Sequence, residues 1–265
     1  MSATKIAIHG AAGRMGRRLV ALGTEDENLE VVAAIEYAEC PLLGQDAGEL
    51  AGVGNIGVPL SAELPEGVDA LIDFSVPNAA LAIAEKCAER GTALVSATTG
   101  LDAEQQERLA AVAEKIAILQ APNTSLAVNL VMKLSQITGA ALADHATGAD
   151  VEIIERHHRY KEDSPSGTAL KFGELIAAEM NLTKHQHGRE GRPGARPHDE
   201  IGYHAVRVGD NPGEHTIIFG LLGETIELRV GATSRDAYAH GALAAAQFVS
   251  TKSPGRYQMN DVLGL

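Results

Sequence analysis

The chain of 265 residues is 45% hydrophobic and 22% charged, an ordinary composition for a globular protein of one or two domains. Its 22 Lys and Arg residues against 35 Asp and Glu residues give a formal net charge of -13. This charge repels phosphate backbones and acidic membrane surfaces, so we expect neither nucleic acid nor a membrane as a partner. The composition also excludes a disordered chain, a collagen and a coiled coil.

The cysteine content and the apolar segments indicate a soluble protein of a reducing compartment. Cys40 and Cys87 are too few and too far apart for a disulfide framework or a cysteine-rich zinc site, so we expect a cytoplasmic location. The strand-like Lys5–His9 leaves no room for a signal peptide at the start, and Ala239–Val249 is too short to span a bilayer.

The first half of the chain alternates strand-like and helix-like segments, which predicts a parallel sheet covered by helices. The predicted strands are Lys5–His9, Glu30–Ile35, Ala70–Phe74, Ala93–Ser96 and Ile116–Gln120. The predicted helices run from the glycines after the first strand through Leu22, from Asn78 to Arg90 behind Pro77, and from Asp102 to near Lys115. Pro77 at a helix start, Gly91 after a helix end and a capping box at Asp102 support these bounds.

From Ser125 the pattern changes, which predicts a second domain. A long helix is expected over Ser125–His145, with apolar residues on one face at Leu126, Leu130, Leu134 and Ile137. The later predicted elements are a strand at Asp150–Glu155, a helix at Thr168–Met180, a loop at His187–Pro197, strands at Tyr203–Val208, His215–Gly220 and Glu224–Thr233, and a helix at Asp236–Ser250. The alternation of apolar and charged residues in Glu224–Thr233 predicts a sheet with one solvent-exposed face.

Glycines follow the first strand in a pattern typical of dinucleotide-binding turns, in the order Gly10, Ala11, Ala12, Gly13, Arg14, Met15 and Gly16. Gly10 permits a tight turn, Gly13 lets the backbone approach a pyrophosphate, and Gly16 allows close helix packing. Compared with the strict G-x-G-x-x-G pattern, the middle glycine is displaced. Glu36 ends the second strand, where an adenosine ribose needs an acceptor, so we expect a dinucleotide site rather than a turn beside a solvated carboxylate.

Polar segments follow two later predicted strands. Ligands in open α/β sheets bind beyond the carboxyl ends of strands, so these segments are expected to hold a nicotinamide and its ribose. The simpler alternative for each segment is a turn with a helix cap. The residues concerned are Ala97, Thr98, Thr99, Ala121, Pro122, Asn123 and Thr124.

These patterns together predict an α/β protein with a Rossmann-like, doubly wound parallel sheet and a second α+β domain built on an open mixed sheet. The predicted dinucleotide-binding domain comprises residues 1–125 and 236–265. The predicted substrate-binding domain comprises residues 126–235.

The segment Glu155–Ala169 concentrates basic residues in an otherwise acidic chain, which predicts an anionic substrate. These basic residues are Arg156, His157, His158, Arg159 and Lys161. The helix that begins near Ser166, Gly167 and Thr168 offers backbone N–H groups and hydroxyls to a carboxylate. His157 and Lys161 are the expected proton-transfer groups. The alternative is a solvated basic loop in which Ser166 only caps the helix.

Neither a metal site nor a nucleophilic cysteine is expected. His185 and His187 have no Cys or acidic partner at matching spacing and fall in a predicted exposed loop. Cys87 falls inside a predicted helix and is expected to pack there, which disfavours an aldehyde dehydrogenase that forms a thioester.

The run from Glu155 to Ala169, with the order His-His-x-x-Lys-x-Asp-x-Pro-Ser-Gly-Thr-Ala, resembles the signature of the 4-hydroxy-tetrahydrodipicolinate reductases, also called dihydrodipicolinate reductases. Further similarities occur in the same order at Gly10–Gly16, Leu43–Gly48, Ile72–Phe74, Thr98–Gly100, Asn123 and Asp261–Leu263. The resemblance therefore covers essentially the whole chain.

This resemblance implies the NAD(P)H-dependent reduction of 4-hydroxy-tetrahydrodipicolinate to tetrahydrodipicolinate, in diaminopimelate and lysine biosynthesis. It implies that His157 donates or accepts a proton and that Lys161 donates one. It also implies a homotetramer assembled through the open sheet of the second domain. The residues implied in substrate binding are His158, Gly167 and Thr168, and those implied in dinucleotide binding are Gly10–Met15, Glu36, Ala97–Thr99 and Ala121–Thr124.

We expect NADH to be preferred, because Glu36 repels the 2′-phosphate of NADPH and Tyr37 stands where some family members have an arginine. Arg14 in the turn is the residue that would keep NADPH usable. Two alternatives stay open: another two-domain amino-acid oxidoreductase, similar to aspartate dehydrogenase, and a non-catalytic dinucleotide sensor. The His-His-x-x-Lys run argues against the first alternative, and the paired proton donors argue against the second.

Overall fold

The computed structural model describes residues 2–265 and divides the chain into two compact units. The first unit comprises the chain up to Leu126 together with Asp236–Leu265, and the second is Ala127–Arg235. In the described residues the strands are β1 (Thr4–His9), β2 (Leu29–Ile35), β3 (Leu60–Ser61), β4 (Ala70–Asp73), β5 (Ala93–Ser96), β6 (Ala117–Gln120), β7 (Asp150–His157), β8 (Lys184–His187), β9 (Glu200–Arg207), β10 (Glu214–Leu221), β11 (Glu224–Gly231) and β12 (Gly255–Tyr257). The helices are α1 (Arg14–Glu25), α2 (Ala47–Ala51), α3 (Pro77–Arg90), α4 (Ala103–Val112), α5 (Leu126–Leu142), α6 (Gly167–Met180), α7 (Asp236–Val249) and α8 (Met259–Leu263). None of these helices, within residues 2–265, is long and apolar enough to cross a membrane.

Parallel strands form the sheet of the first unit, in the order β12-β6-β5-β4-β1-β2-β3. The strand order reverses at β1, which pairs with β2 on one side and with β4 on the other. His9 at the end of β1 lies in register with Ile35 and Asp73 at the ends of these neighbours. The segments that follow the three strands therefore begin at one edge of the sheet, at the reversal point where ligands bind in such sheets.

Continuous apolar runs form these strands because the sheet is covered on both faces. Ile6 and Ile8 of β1 pack in one buried cluster with Ala242 and Leu243 of α7, whereas Ala7 packs in a second cluster. Helix α7 thus completes the first unit from the far end of the sequence. The parallel sheet agrees with the fold class that the sequence predicts.

The second unit has a mixed sheet in the order β11-β10-β7-β9-β8. Strand β10 is antiparallel to β7 and β11, and β9 is parallel to β7 and β8. Helix α6 packs on one face of this sheet, where its Phe172 and Ile176 are fully buried with Tyr203 of β9. Gly173 makes this close packing possible, because a Cβ there would lie 1.8 Å from the Tyr203 hydroxyl oxygen.

The structure corrects the predicted loop around His185 and His187. Both residues lie on the short strand β8, and their rings stack on Tyr203 with centroid distances of 5.7 Å and 5.2 Å. His185 Nδ1 also lies 2.7 Å from the Tyr203 hydroxyl. Four further elements were not predicted, namely α2, β3, β12 and α8, each of five residues or fewer.

The apolar face predicted for α5 is partly exposed, and the face predicted for β11 differs from the structure. Leu130, Leu134 and Ile137 of α5 are between 39% and 54% exposed, whereas the buried residues of this helix include Ser135 and Gly139. On β11 the residues from Glu224 to Leu228 are exposed or half-buried on both faces, so the expected single solvent-exposed face is wrong there. The residues of β11 are exposed because β11 is an edge strand, whereas α6 packs against β7 and β9.

Candidate active site

The glycine turn after β1 leads directly into helix α1. Gly10 has a φ of +76°, and its carbonyl oxygen accepts the Gly13 N–H at 3.0 Å. A Cβ at Gly16 would lie 2.1 Å from that same oxygen, so the first helical turn can pack here because this residue is glycine. The backbone N–H groups at the start of α1 and the positive end of its dipole form an anion site that fits a pyrophosphate.

Glu36 lies at this turn, as the sequence predicts. Its Oε1 accepts a hydrogen bond of 2.8 Å from the Ala12 N–H. The carboxylate that is expected to bind the ribose is therefore held against the loop that is expected to bind the phosphates. The next side chain, Tyr37, is 58% exposed.

A buried carboxylate that the sequence analysis missed joins the ends of β1, β4 and β5. Asp73 is fully buried, and its Oδ1 lies 2.7 Å from His9 Nδ1 and accepts the Ser75 hydroxyl at 2.6 Å. Its Oδ2 accepts the Thr98 hydroxyl at 2.7 Å. The side chain of Thr98, one of the expected cofactor residues, is thus used to fix the strand ends.

The segment after β6 is fixed in a similar way. The Thr124 hydroxyl donates to the Tyr238 carbonyl at 2.7 Å, and Asn123 Oδ1 accepts the Ser125 N–H at 3.0 Å. Gly241 of α7 allows this approach, since a Cβ there would lie 1.8 Å from the Thr124 carbonyl oxygen. The segment from Ala121 to Thr124 is therefore held rigidly at the same sheet edge.

In the second unit, His157 ends β7 and is 7% exposed. Its Nδ1 lies 2.6 Å from Oε2 of Glu155, which is fully buried on the same face of the strand. Arg207 donates to both carboxylate oxygens at 2.8 Å, and Oε1 also accepts the Ser166 N–H at 3.0 Å. The His215 ring meets the His157 ring edge-on with centroids 5.3 Å apart.

These contacts determine the charge states of the site. Burial lowers the pKa of His157 below its usual range, although the adjacent Glu155 opposes this effect. Burial also lowers the pKa of His215, to about 4. For Glu155, burial raises the pKa, but the hydrogen bonds from Arg207 and His157 outweigh burial and hold it below its usual range. At pH 7 the free chain therefore has neutral histidines beside an ionised Glu155.

Lys161 and the start of α6 complete this group. Ser166 caps the helix by accepting the Ala169 N–H at 3.1 Å, and its hydroxyl lies 3.1 Å from His215 Nε2. Lys161 Nζ lies 2.8 Å from Oδ1 of Asp163. Among the residues that the structure describes, the buried Nδ1 of His158 has no hydrogen-bond partner. The structure thus brings the basic segment and the helix cap together, as the sequence predicts.

Three further residues of this group were missed by the sequence analysis, namely Glu155, Arg207 and His215. Glu155 carried a usable signal, because residues two apart on a strand point to the same face and Glu155 precedes His157 by two. Arg207 and His215 had no such signal, since they reach the site from other strands.

Within residues 2–265, no group of three or more His, Cys, Asp or Glu residues is arranged to hold a metal ion. Cys87 is fully buried in α3, and burial raises the pKa of its thiol, which makes it a packing residue.

A parallel sheet with a glycine turn and a strand-end carboxylate is the arrangement of the oxidoreductases that bind a dinucleotide. The family model described as the N-terminus of dihydrodipicolinate reductase matches residues 4–124, and that described as its C-terminus matches residues 127–263. The chain belongs to the dihydrodipicolinate reductase family.

Individual relatives agree with this assignment. The chain is 56% identical to the 4-hydroxy-tetrahydrodipicolinate reductase of Rhodopirellula baltica, over 98% of this chain and 96% of that protein. It is 45% identical to the reductase of the same name from Alkalilimnicola ehrlichii, over 99% of both chains. The solved structure of a dipicolinate-bound dihydrodipicolinate reductase from Paenisporosarcina sp. TG-14 is similar with a TM-score of 0.78, at 26% identity over 97% of this chain and 99% of that one.

Proposed function

We propose that the chain catalyses the NAD(P)H-dependent reduction of 4-hydroxy-tetrahydrodipicolinate to tetrahydrodipicolinate, in diaminopimelate and lysine biosynthesis. The observation that carries this proposal is the buried His157 in one unit with Lys161 and the N-terminus of α6. The names of the relatives from Rhodopirellula and Alkalilimnicola state the reduction of this substrate. The solved relative that binds dipicolinate supports a small dicarboxylate as the substrate.

The two parts of the chain have separate tasks in this proposal. Residues 1–125 with 236–265 bind the dinucleotide, through the turn Gly10–Met15 and the carboxylate of Glu36. The segments Ala97–Thr99 and Ala121–Thr124 bind its nicotinamide half, with Thr98 and Thr124 acting through their backbone because their hydroxyls are engaged within the first unit. Residues 126–235 bind the substrate.

The reaction replaces a hydroxyl group by hydrogen, so it consumes one hydride and one proton and releases water. When bound, the dinucleotide supplies the hydride. Side chains of this protein supply the proton. Lys161 is the donor. His157 donates or accepts a proton through Nε2, because its Nδ1 is hydrogen-bonded to Glu155. A bound dicarboxylate raises the pKa of His157 by its negative charge, which favours protonation when substrate is present.

The substrate carboxylate belongs at the start of α6. Helix N-termini attract anions through their N–H groups and their dipole. Gly167 and Thr168 are the first residues of α6, Ser166 is its cap, and His158 contributes a ring nitrogen. Lys161 adds a positive charge beside them.

NADH is the preferred cofactor in this proposal, because Glu36 repels a 2′-phosphate and the exposed Tyr37 offers no compensating charge. NADPH remains usable through the exposed Arg14. The protein works in the cytoplasm as a homotetramer assembled through the open sheet of residues 126–235. Light scattering after size-exclusion chromatography measures the assembly, and we expect four chains per particle.

A coupled assay tests the activity. Pyruvate, aspartate semialdehyde and a condensing synthase generate the substrate in place, and nicotinamide absorbance reports its reduction. We expect oxidation of NADH that requires both the synthase and this protein. Binding of NADH by a folded protein without any oxidation of NADH or NADPH would contradict the proposal and support a dinucleotide sensor.

A further inference from the structure

The Glu155 carboxylate makes four hydrogen bonds that join separate parts of the proposed active site. Oε2 contacts His157 Nδ1 at 2.6 Å and Arg207 at 2.8 Å. Oε1 contacts Arg207 at 2.8 Å and the Ser166 N–H at 3.0 Å. One buried carboxylate therefore holds both the ring of His157 and the cap of the helix that is proposed to bind the substrate carboxylate.

Arg207 also fixes the loop between His157 and Ser166. Its guanidinium donates to the Asp163 carbonyl oxygen at 2.7 Å in addition to Glu155. Arg207 also lies in register with His157, on the parallel neighbour strand β9. The loop that includes Lys161 is thus tied at its centre by Arg207 and at its end by Glu155.

The direction of the His157 ring follows from this arrangement. An ionised carboxylate has no proton to give, so the hydrogen bond between Glu155 and Nδ1 requires the proton on Nδ1. Nε2 is then the ring nitrogen left for proton transfer. It lies close to the Gly213 backbone, where a Cβ would be only 2.7 Å away, so the absence of a side chain at Gly213 leaves space at Nε2.

We infer that Glu155, held in place by Arg207, is a positioning residue that fixes the Nδ1–H form of His157 and aligns it with the N-terminus of α6. This inference rests on the proposed role of His157 in proton transfer. Glu155 acts through His157 and the Ser166 N–H.

The charged and titratable groups that face His157 predict opposite effects for the two members of this pair. Glu155 on β7 stabilises the imidazolium, whereas Arg207 on β9 and Lys161 in the loop destabilise it, and His215 on β10 is neutral near pH 7. Loss of the Glu155 charge therefore lowers the pKa of His157. Loss of the Arg207 charge raises it.

The test is an NMR titration of the full chain with 15N-labelled histidine, without substrate, in which His157→Gln assigns the signal of His157. We expect the wild type to carry its neutral-form proton on Nδ1. Glu155→Gln is expected to lower the pKa of His157 and Arg207→Met to raise it, each by about one unit. A proton on Nε2 in the neutral wild type, no shift, or shifts of the same sign would overturn the inference.

Glu152→Gln is the matched control. Glu152 lies on the opposite face of β7 and is also paired with an arginine, Arg189 at 2.6 Å. We expect this variant to keep the wild-type titration of His157. If Glu155→Gln does not fold, the wild-type proton position and the Arg207→Met shift decide the inference without it.

Kinetics separate this inference from the proposed function. In the coupled assay, Glu155→Gln is expected to lower kcat on the order of 10²-fold, with KM for NADH unchanged within about twofold. The limb of the pH profile that follows His157 should move to lower pH. An inactive wild type would contradict the proposed function, whereas an active wild type with an unchanged titration in both variants would overturn the role of Glu155 alone.

Discussion

Lys161 and Asp163 form an ion pair in the loop before helix α6, with Nζ 2.8 Å from Oδ1. This hydrogen bond with Lys161 lowers the pKa of Asp163, and a further bond from the Gly167 N–H acts in the same direction. The chain thus places its own carboxylate between the lysine and the helix start that are proposed to bind the carboxylate of the substrate.

Asp163→Asn should therefore strengthen substrate binding, because the incoming carboxylate no longer displaces an internal one. An exposed ion pair is worth about 1 kcal/mol or less, so KM should fall about two- to fivefold with kcat nearly unchanged. Initial rates over a range of substrate concentrations measure this change. Glu162→Gln, at the exposed neighbouring carboxylate, is the control and should leave KM unaltered. A higher KM in Asp163→Asn would mean that Asp163 supports the binding loop instead.

The proton-transfer groups and the binding group should differ in their kinetic effects. His157→Gln and Lys161→Ala are expected to lower kcat by about 10² to 10⁴ with little change in NADH affinity, because each removes a positioned proton-transfer group. Thr168→Val should act mainly on KM, since it changes a contact made in both the ground state and the transition state. His145→Gln, at an exposed position, is the control. Near-normal kcat in both His157→Gln and Lys161→Ala would mean that the basic segment is only a binding loop.

Cofactor choice is expected to depend on Glu36 and Tyr37. The wild type should favour NADH over NADPH about tenfold in kcat/KM, which corresponds to roughly 1.4 kcal/mol. Tyr37→Arg should improve NADPH, because a guanidinium can pair with the 2′-phosphate, whereas exposed Glu39→Gln should not change the ratio. A wild type that prefers NADPH, or no gain in Tyr37→Arg, would show that Arg14 or another group sets the choice.

Stability should depend on pH through His215. Burial lowers its pKa from 6.5 to about 4 in the folded chain, so between these values the unfolded chain binds more protons. Its contribution to stability is therefore complete above about pH 6.5 and falls as the pH drops toward 4. The loss is on the order of 2 to 3 kcal/mol.

Thermal unfolding between pH 7.5 and 4.5 checks this sign. The melting temperature of His215→Phe should fall less across this range than that of the wild type. The variant also loses the contact with Ser166. The control is His198→Asn at an exposed position, which should follow the wild type. An equal loss in His215→Phe and wild type would assign the acid sensitivity to other groups.

The sequence predicts much of this fold because its strongest signals are local. Strand β5 has the bounds that the sequence predicts, Ala93–Ser96, and α3 is capped by Gly91, which has a φ of +68°. Strands β3 and β12 have two and three residues, too few to show any periodicity. The apolar spacing of α5 indicates a face but not what covers that face, and Leu134 on this face is 40% exposed.

The candidate site likewise combines residues that are close together in the sequence with partners that are distant in the sequence. His157, Lys161 and Ser166 lie within one short segment, so their motif is visible in the sequence. Arg207 reaches Glu155 across 52 positions, through the pairing of β7 with β9, and no local pattern predicts that register. The partners that tune the site therefore require the fold.

The proposed reaction delivers a hydride from NADH to the product of the synthase. The most direct measurement supplies NADH with deuterium at both C4 positions and follows the product by mass spectrometry. We expect tetrahydrodipicolinate with one deuterium, formed at the rate at which NADH is lost, and a strongly reduced yield with His157→Gln. Loss of NADH without deuterium in this product, or an equal yield from His157→Gln, would contradict the proposed hydride transfer.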